Sequence, residues 1–182
     1  MAIDREVDNR IIKRILKGER DLYSHLIDRY KGPIYNLAYR MTGQSEEAND
    51  LAQETFVRAY ENLARFNGRK QFFPWLYTIG LNIIRNNLKR KGRVVLLTID
   101  DTNETKADNE KNPEENIGER EAIAQLDNSL QRLSDEYKEA LILRYYQGLS
   151  FQDIAEITEV SLSTAKMRVY RGLEKLRNYM TE

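Results

Sequence analysis

Asp50 and Glu54 stand one helical turn apart, and two carboxylates at that spacing can act as general acid and base or as paired metal ligands. Either chemistry needs further groups. The 182-residue chain has no cysteine and a single histidine, His25, which removes thiolate catalysis, disulfides, cysteine zinc sites and multi-histidine centres. No nucleophile and no phosphate-cradling glycine loop accompanies the pair, so no catalytic residue, cofactor or metal is expected. The two carboxylates read better as an acidic surface for a basic partner protein, with a solvated helix face as the plainer alternative.

Two other groups of residues ask for nucleic acid. Trp75, Thr78, Asn82, Arg85 and Lys89 recur at steps of three and four along one helix face. They join an aromatic platform, two hydrogen-bonding side chains and two cations, which is what unpaired bases beside a phosphate backbone require. A core role for Trp75 stays open on the residues alone. The cations that follow, Lys89, Arg90, Lys91 and Arg93, favour nucleic acid. Further on, Ser163, Thr164, Met167, Arg168, Arg171 and Lys175 point away from an apolar stripe of Leu162, Ala165, Val169, Leu173 and Leu176, with Lys166 and Tyr170 on the flank. A basic helix of this kind suits the major groove, about 12 Å wide, where N-terminal side chains meet base edges and arginine meets guanine or phosphate. A hairpin with a solvated charged face is the competing reading.

The elements that must carry these groups follow from the pattern. Val7, Ile11 and Ile15 predict a short helix ending at Gly18, and Leu22, Leu26, Tyr30, Ile34, Leu37 and Met41 a second, in which Gly32-Pro33 predicts a kink or break. Ser45 with Glu46 and Glu47 starts a third, running to Leu63 and burying Ala48, Leu51, Ala52, Thr55, Ala59 and Leu63. The loop Arg65–Gln71 is rich in donors, and Pro74 opens the helix that carries Trp75, with Leu76, Ile79, Gly80, Ile83 and Asn87 on its other side. From Val94 to about Asn116 the pattern dissolves into an acidic, polar linker, able to reach about 80 Å when extended. Ile123, Leu126, Leu130 and Leu133 restart helical periodicity, and Ser134 is placed to cap a helix carrying Tyr137, Ala140, Leu141 and Tyr145 that ends at Gly148. Ser150 with Asp153 begins the next, with Phe151, Ile154, Ala155 and Ile157 inward, and after a corner at Thr158–Val160 Ser161 caps the basic helix. The expected fold is all-α, with two small helical domains at residues 1–93 and 118–182, a flexible acidic linker at 94–117, and a helix-turn-helix in the second domain.

Charge is balanced overall at 29 basic and 29 acidic side chains, so the free chain has no bulk attraction to DNA. It is sorted by segment instead. Gln44–Glu61 holds five acids against Arg58, Arg85–Arg93 five bases and no acid, and Asp100–Glu121 nine acids against three bases. Such sorting suggests several partners met by different faces. No apolar run approaches the roughly 20 residues of a bilayer span, and MAIDREVDNR lacks an apolar signal core, so a cytoplasmic protein without direct membrane insertion is expected.

Three segments together resemble the extracytoplasmic-function sigma factors, small bacterial initiation subunits with two promoter-binding domains. NDLAQETFVRAY (Asn49–Tyr60) is similar to that family's polymerase-core-binding motif, FFPWLYTIGLNIIRNNLKRKGR (Phe72–Arg93) to its promoter-melting helix, and Leu133–Arg177 to its C-terminal domain. The resemblance implies a non-enzymatic factor that binds core RNA polymerase and promoter DNA, both duplex and melted, and is held by an anti-sigma factor. It implies core binding by Asp50, Leu51, Gln53, Glu54, Phe56 and Tyr60. For the proximal promoter element it implies Arg65, Asn67, Arg69, Lys70, Phe72, Trp75, Thr78, Asn82, Arg85, Lys89 and Arg90, the loop and Asn82 holding a flipped base. For the distal element it implies Ser161, Ser163, Thr164, Lys166, Met167, Arg168, Tyr170, Arg171 and Lys175. Met167 stands where the family usually carries a small residue. A stand-alone helix-turn-helix regulator is the alternative, and it would need no acidic docking helix.

Overall fold

A computed structural model describes the backbone of residues 5–68, 71–97 and 117–181, and the side chains within these except at residues 5, 93–97 and 117–120. Every element among the described residues is helical: α1 (Arg5–Leu16), α2 (Tyr23–Thr42), α3 (Ser45–Glu61), α4 (Phe72–Leu97), α5 (Ile117–Gln131), α6 (Asp135–Leu141), α7 (Phe151–Thr158) and α8 (Leu162–Thr181). Short 3-10 turns lie at Arg20–Leu22 and Leu63–Arg65, and a π turn at Ile142–Tyr146. The chain divides into two compact units, Met1–Ala38 with Glu46–Thr102, and Tyr39–Ser45 with Asn103–Glu182. The expected acidic linker falls largely outside the described residues, but α4 continues to Leu97, past the Val94 at which the pattern was expected to dissolve.

In the first unit α2 is unbroken through Pro33, against the expected kink or break. Leu26, Tyr30, Ile34 and Leu37 are all buried on both sides of the proline, and this packing holds the two halves in one helix despite the missing donor. Tyr77 adds a hydroxyl bond to the Pro33 carbonyl at 2.9 Å. On α1 the inward face is Asp8, Ile12 and Ile15, not Val7, Ile11 and Ile15. The helix is turned so that the buried Asp8 carboxylate meets the Arg29 guanidinium and the Tyr30 hydroxyl. A buried carboxylate needs such partners.

Helix α3 buries Ala48, Leu51, Ala52, Thr55, Phe56 and Ala59, a face small enough for α4 to come close. A Cβ on Gly80 would lie 3.3 Å from the Thr55 methyl, so glycine there permits the approach. The buried ridge of α4 is Phe73, Leu76, Tyr77, Gly80, Leu81 and Ile84, rotated from the expected Leu76, Ile79, Gly80, Ile83 and Asn87. Aromatic packing sets that rotation: Phe73 stacks on Tyr77 at 4.6 Å and on Tyr30 at 5.3 Å. Each large apolar side chain so buried contributes about 1.5–3 kcal/mol.

In the second unit Leu130, Leu133, Leu141, Ile142, Leu143, Ile154, Ile157, Ala165 and Val169 form the core. Ser134 occupies the N-cap position of α6 without a side-chain cap bond, unlike the expected cap. Ser150 and Asp153 form a complete capping box on α7. Ser161 caps α8 by accepting from the Thr164 amide at 3.1 Å. Gly172 brings α8 against α6, a Cβ there lying 3.2 Å from Leu141. Leu162 and Ile123, expected on buried stripes, and Tyr145 are exposed.

Candidate nucleic-acid interface

The loop after α3 is closed at its base by two rings. Phe66 meets Phe72 edge-on at 5.5 Å, and Trp75 packs against both, at 5.2 and 5.5 Å. Phe72 is therefore buried, so it supports the loop and does not reach a base as the resemblance implied. Trp75 is half-buried, both packed and partly accessible. Arg65 and Asn67 are exposed on the loop, whereas Arg69 and Lys70 lie outside the described residues. Beyond the loop, Asn82, Lys89 and Arg90 are exposed, and Thr78 and Arg85 are half-buried. The Thr78 hydroxyl donates to the Pro74 carbonyl at 3.0 Å.

The basic end of α4 is partly committed to α3. Glu47, on the first turn of α3, accepts from Asn87 and from Lys91, the latter at 2.7 Å. Arg90 donates to the side-chain Oδ1 of Asn87 at 2.9 Å. Lys91 thus serves the join between the helices, leaving Asn82 and Lys89 as the outward file. The partnership of Glu47 was not legible, because it spans 40 residues to Asn87 and depends on how α4 lies across α3.

On α3, Asp50, Gln53 and Glu54 are exposed, with Arg58 set 3.7 Å from Glu54 and 3.5 Å from Glu61. Leu51 and Phe56, grouped with them by the resemblance, face inward and belong to the core. An apolar hollow of about 710 Å³ opens at the C-terminal end of α3, lined among others by Asp21, Tyr23, Ile27, Phe56, Val57, Tyr60 and Glu61. Val57 and Tyr60 are exposed on its wall. Tyr23 is fixed beneath it by a 2.7 Å hydroxyl bond to the Phe56 carbonyl and ring contact with Tyr60 at 4.9 Å. Burial pushes the Tyr23 hydroxyl well above the ordinary tyrosine range, with the neighbouring Tyr60 adding to the shift.

On α8 the expected reading face is presented with one exception. Ser161, Ser163, Lys166, Met167, Tyr170, Arg171 and Lys175 are exposed, and Thr164 is half-buried. Arg168 is drawn back to Glu136 at 3.0 Å, its side chain only 19% exposed. Phe151 of α7 lies 6.1 Å from the Tyr170 ring, with the Arg144 guanidinium over it at 4.7 Å. Lys175 lies 5.8 Å from the Tyr137 ring. Among the described residues no cluster of His, Cys, Asp or Glu could hold a metal ion, and no helix is long and apolar enough to cross a membrane.

The similarities to known proteins cover both units. Residues 26–94 match the family model of Sigma-70 region 2, and residues 123–176 that of Sigma-70, region 4. The ECF RNA polymerase sigma factor SigW of Bacillus subtilis is 32% identical over 179 residues, covering 94% of this chain and 95% of that protein. The RNA polymerase sigma-H factor of Pseudomonas aeruginosa is 30% identical over 181 residues, covering 96% and 94%. Among solved structures, the sigma factor RpoE bound to the anti-sigma factor NepR, from Bartonella quintana, has the same fold at a TM-score of 0.75 and 23% identity, covering 87% of this chain and 96% of that one. CnrH in complex with the cytosolic domain of CnrY has it at 0.72 and 20%, covering 98% of each. Two small helical units, a helix-turn-helix in the second and this agreement in sequence place the chain in the extracytoplasmic-function family of RNA polymerase sigma factors.

Proposed function

We propose that Asp50, Gln53, Glu54 and Tyr60 dock this sigma factor on a coiled coil of the largest polymerase subunit, and that the two units then divide the promoter between them. The carrying observation is the face of α3: two carboxylates and an amide are exposed on it, and an apolar hollow edged by Tyr60 and Glu61 opens at its C-terminal end, a combination matched to an amphipathic basic helix. In the domain boundaries we propose, residues 1–93 capture the proximal element. Asn67 and its loop hold a flipped base, Asn82 helps select it, and Lys89 follows the strand backbone. Unstacking costs a few kcal/mol, and base capture offsets part of that where the sequence is favourable. Residues 118–182 read the distal element in the major groove through Ser163, Lys166, Tyr170 and Arg171, with Met167 adding an apolar contact. An anti-sigma factor, as in the two solved complexes, is the proposed inhibitory partner, and the cytoplasm the proposed site of action.

The test is the full-length Asp50→Ala/Glu54→Ala double variant. Its capture by core polymerase is expected to weaken at least about tenfold, the equivalent of about 1.4 kcal/mol. Distal-element contact should survive. Normal capture with normal promoter-specific transcription would overturn the docking assignment, and tight promoter binding by the free wild-type chain would favour the regulator.

A further inference from the structure

The amide side chain of Asn9, on α1, donates to the carbonyl of Gly68 at 2.8 Å, across 59 residues of sequence. No motif covers this contact. A Cβ on Gly68 would lie 3.6 Å from the Asn9 carbonyl oxygen, so the side chain rests flat against the loop backbone. The assignment of the amide follows from chemistry: reversed, it would set two acceptors against each other. The Asn9 Oδ1 atom is buried and has no hydrogen-bond partner, so among the described residues the side-chain bond of this amide is the one to the loop.

The element that carries Asn9 is firmly placed. Its neighbour Asp8 is fully buried between Arg29 and Tyr30, and Ile12 and Ile15 are in the core. The Tyr30 ring packs on Phe72 and Phe73, and Phe72 on Phe66. The stretch Phe66–Gly68 is thus packed from beneath by rings, and the Asn9 amide restrains it at Gly68. Discrimination between bases needs the reading groups held to within about 0.5 Å. Ring packing at Phe66 restrains one end of the stretch, and the bond at Gly68 restrains the other, directly next to Asn67.

We propose that Asn9 is a positioning residue for base selection: by pinning the Gly68 carbonyl it fixes the backbone on which Asn67 meets the captured base. This rests on the proposed capture of a flipped base by the loop. Asn9 touches neither polymerase nor DNA in this scheme, and acts through the loop backbone alone.

The experiment uses full-length protein with core polymerase on promoter templates carrying each of the four bases at the captured position. Asn9→Ala should lower the preference for the best base by about fivefold, the equilibrium worth of one net hydrogen bond. Asn9→Asp keeps the shape but replaces the donor with a second acceptor, so it should lose at least as much. Capture by core polymerase and distal-element preference should match wild type in both. Hydrogen exchange of the Asn67 and Gly68 amides in the free protein should quicken in both variants. Equal loss of initiation on all four templates would show a structural effect only and overturn the proposal, as would unchanged preference, unchanged exchange, or an Asn9→Asp variant behaving as wild type. Wild-type protein that initiates without any base preference would overturn both this and the underlying capture reading, and that result appears before any variant is compared.

Discussion

Arg168 and Arg171 sit one turn apart on α8 and carry the same charge, but their neighbours differ. Arg168 is paired with Glu136 and mostly covered, whereas Arg171 stands free of the surface. For Arg168 to grip DNA it would first have to leave Glu136, and a pair with one partner half-exposed is worth about 0.5–1 kcal/mol. Arg171→Ala should therefore lose about 1–3 kcal/mol of distal-element affinity, at one base position if it contacts a base edge and evenly across sequences if it contacts phosphate. Arg168→Ala should lower the thermal midpoint and cost less than about 1 kcal/mol in promoter binding. Holoenzyme binding to promoter variants, beside melting of the free proteins, separates the two. An Arg168→Ala protein with an unchanged midpoint and a large loss of promoter affinity would reverse the assignment.

At the scale of elements, the helix-turn-helix depends on its corner. Glu159 holds φ at 57°, the left-handed region, where a side chain costs about 1–2 kcal/mol relative to glycine. Its amide still closes the end of α7, and the Val160 amide donates to the Ala155 carbonyl at 3.0 Å. The corner sets the angle at which α8 leaves, and Ser161 then caps the new helix. Replacing Glu159 with glycine removes the steric cost but adds chain entropy in the unfolded state, leaving a net gain of about 0.5–1 kcal/mol. A Glu159→Gly protein should melt a few degrees higher while distal-element preference is unchanged. A lower midpoint would show that the glutamate side chain stabilises the corner by a contact that outweighs its strain. Between α3 and α4 the comparable device is Glu47, which holds the basic end of α4 to the first turn of α3.

For the whole molecule, equal numbers of acidic and basic side chains leave no net charge to bind DNA unaided, so delivery by polymerase suits it. Buried tyrosines shape its response to alkali. Burial pushes Tyr23, Tyr30 and Tyr77 well above the ordinary range, with the hydrogen bond to Asp8 adding to the shift of Tyr30. A raised folded-state value means that stability from these groups is complete below the unfolded value near 10 and is lost as pH rises above it. Lys138 has the opposite sign: burial lowers its value, so the folded second unit gains stability as pH rises towards the ordinary lysine range near 10.4. Burial also raises Tyr146 in the second unit, but the first unit holds three such tyrosines, so above about pH 10 the first unit should lose more stability than the second. Circular dichroism and phenolate absorbance, followed together against pH, check this. Full ionisation of the 11 tyrosines near pH 10.5 with no loss of helix would contradict it.

Local patterns determined a great deal by themselves. Periodicity placed nearly every helix, because a 3.6-residue repeat needs only neighbours in sequence, and the Ser150 and Ser161 caps act within one turn. The polar face of α8 and the exposed acids of α3 were legible for the same reason. Tertiary packing decided what remained: the rotation of α1 towards Asp8, the unbroken passage of α2 through Pro33, the inward turn of Phe56 and Phe72, the retreat of Arg168 to Glu136 and the hold of Asn9 on Gly68. Each of these depends on a partner brought from elsewhere in the chain. Whether a polar group is buried, exposed or engaged turns on that partner's arrival, and spacing along the backbone carries no record of it.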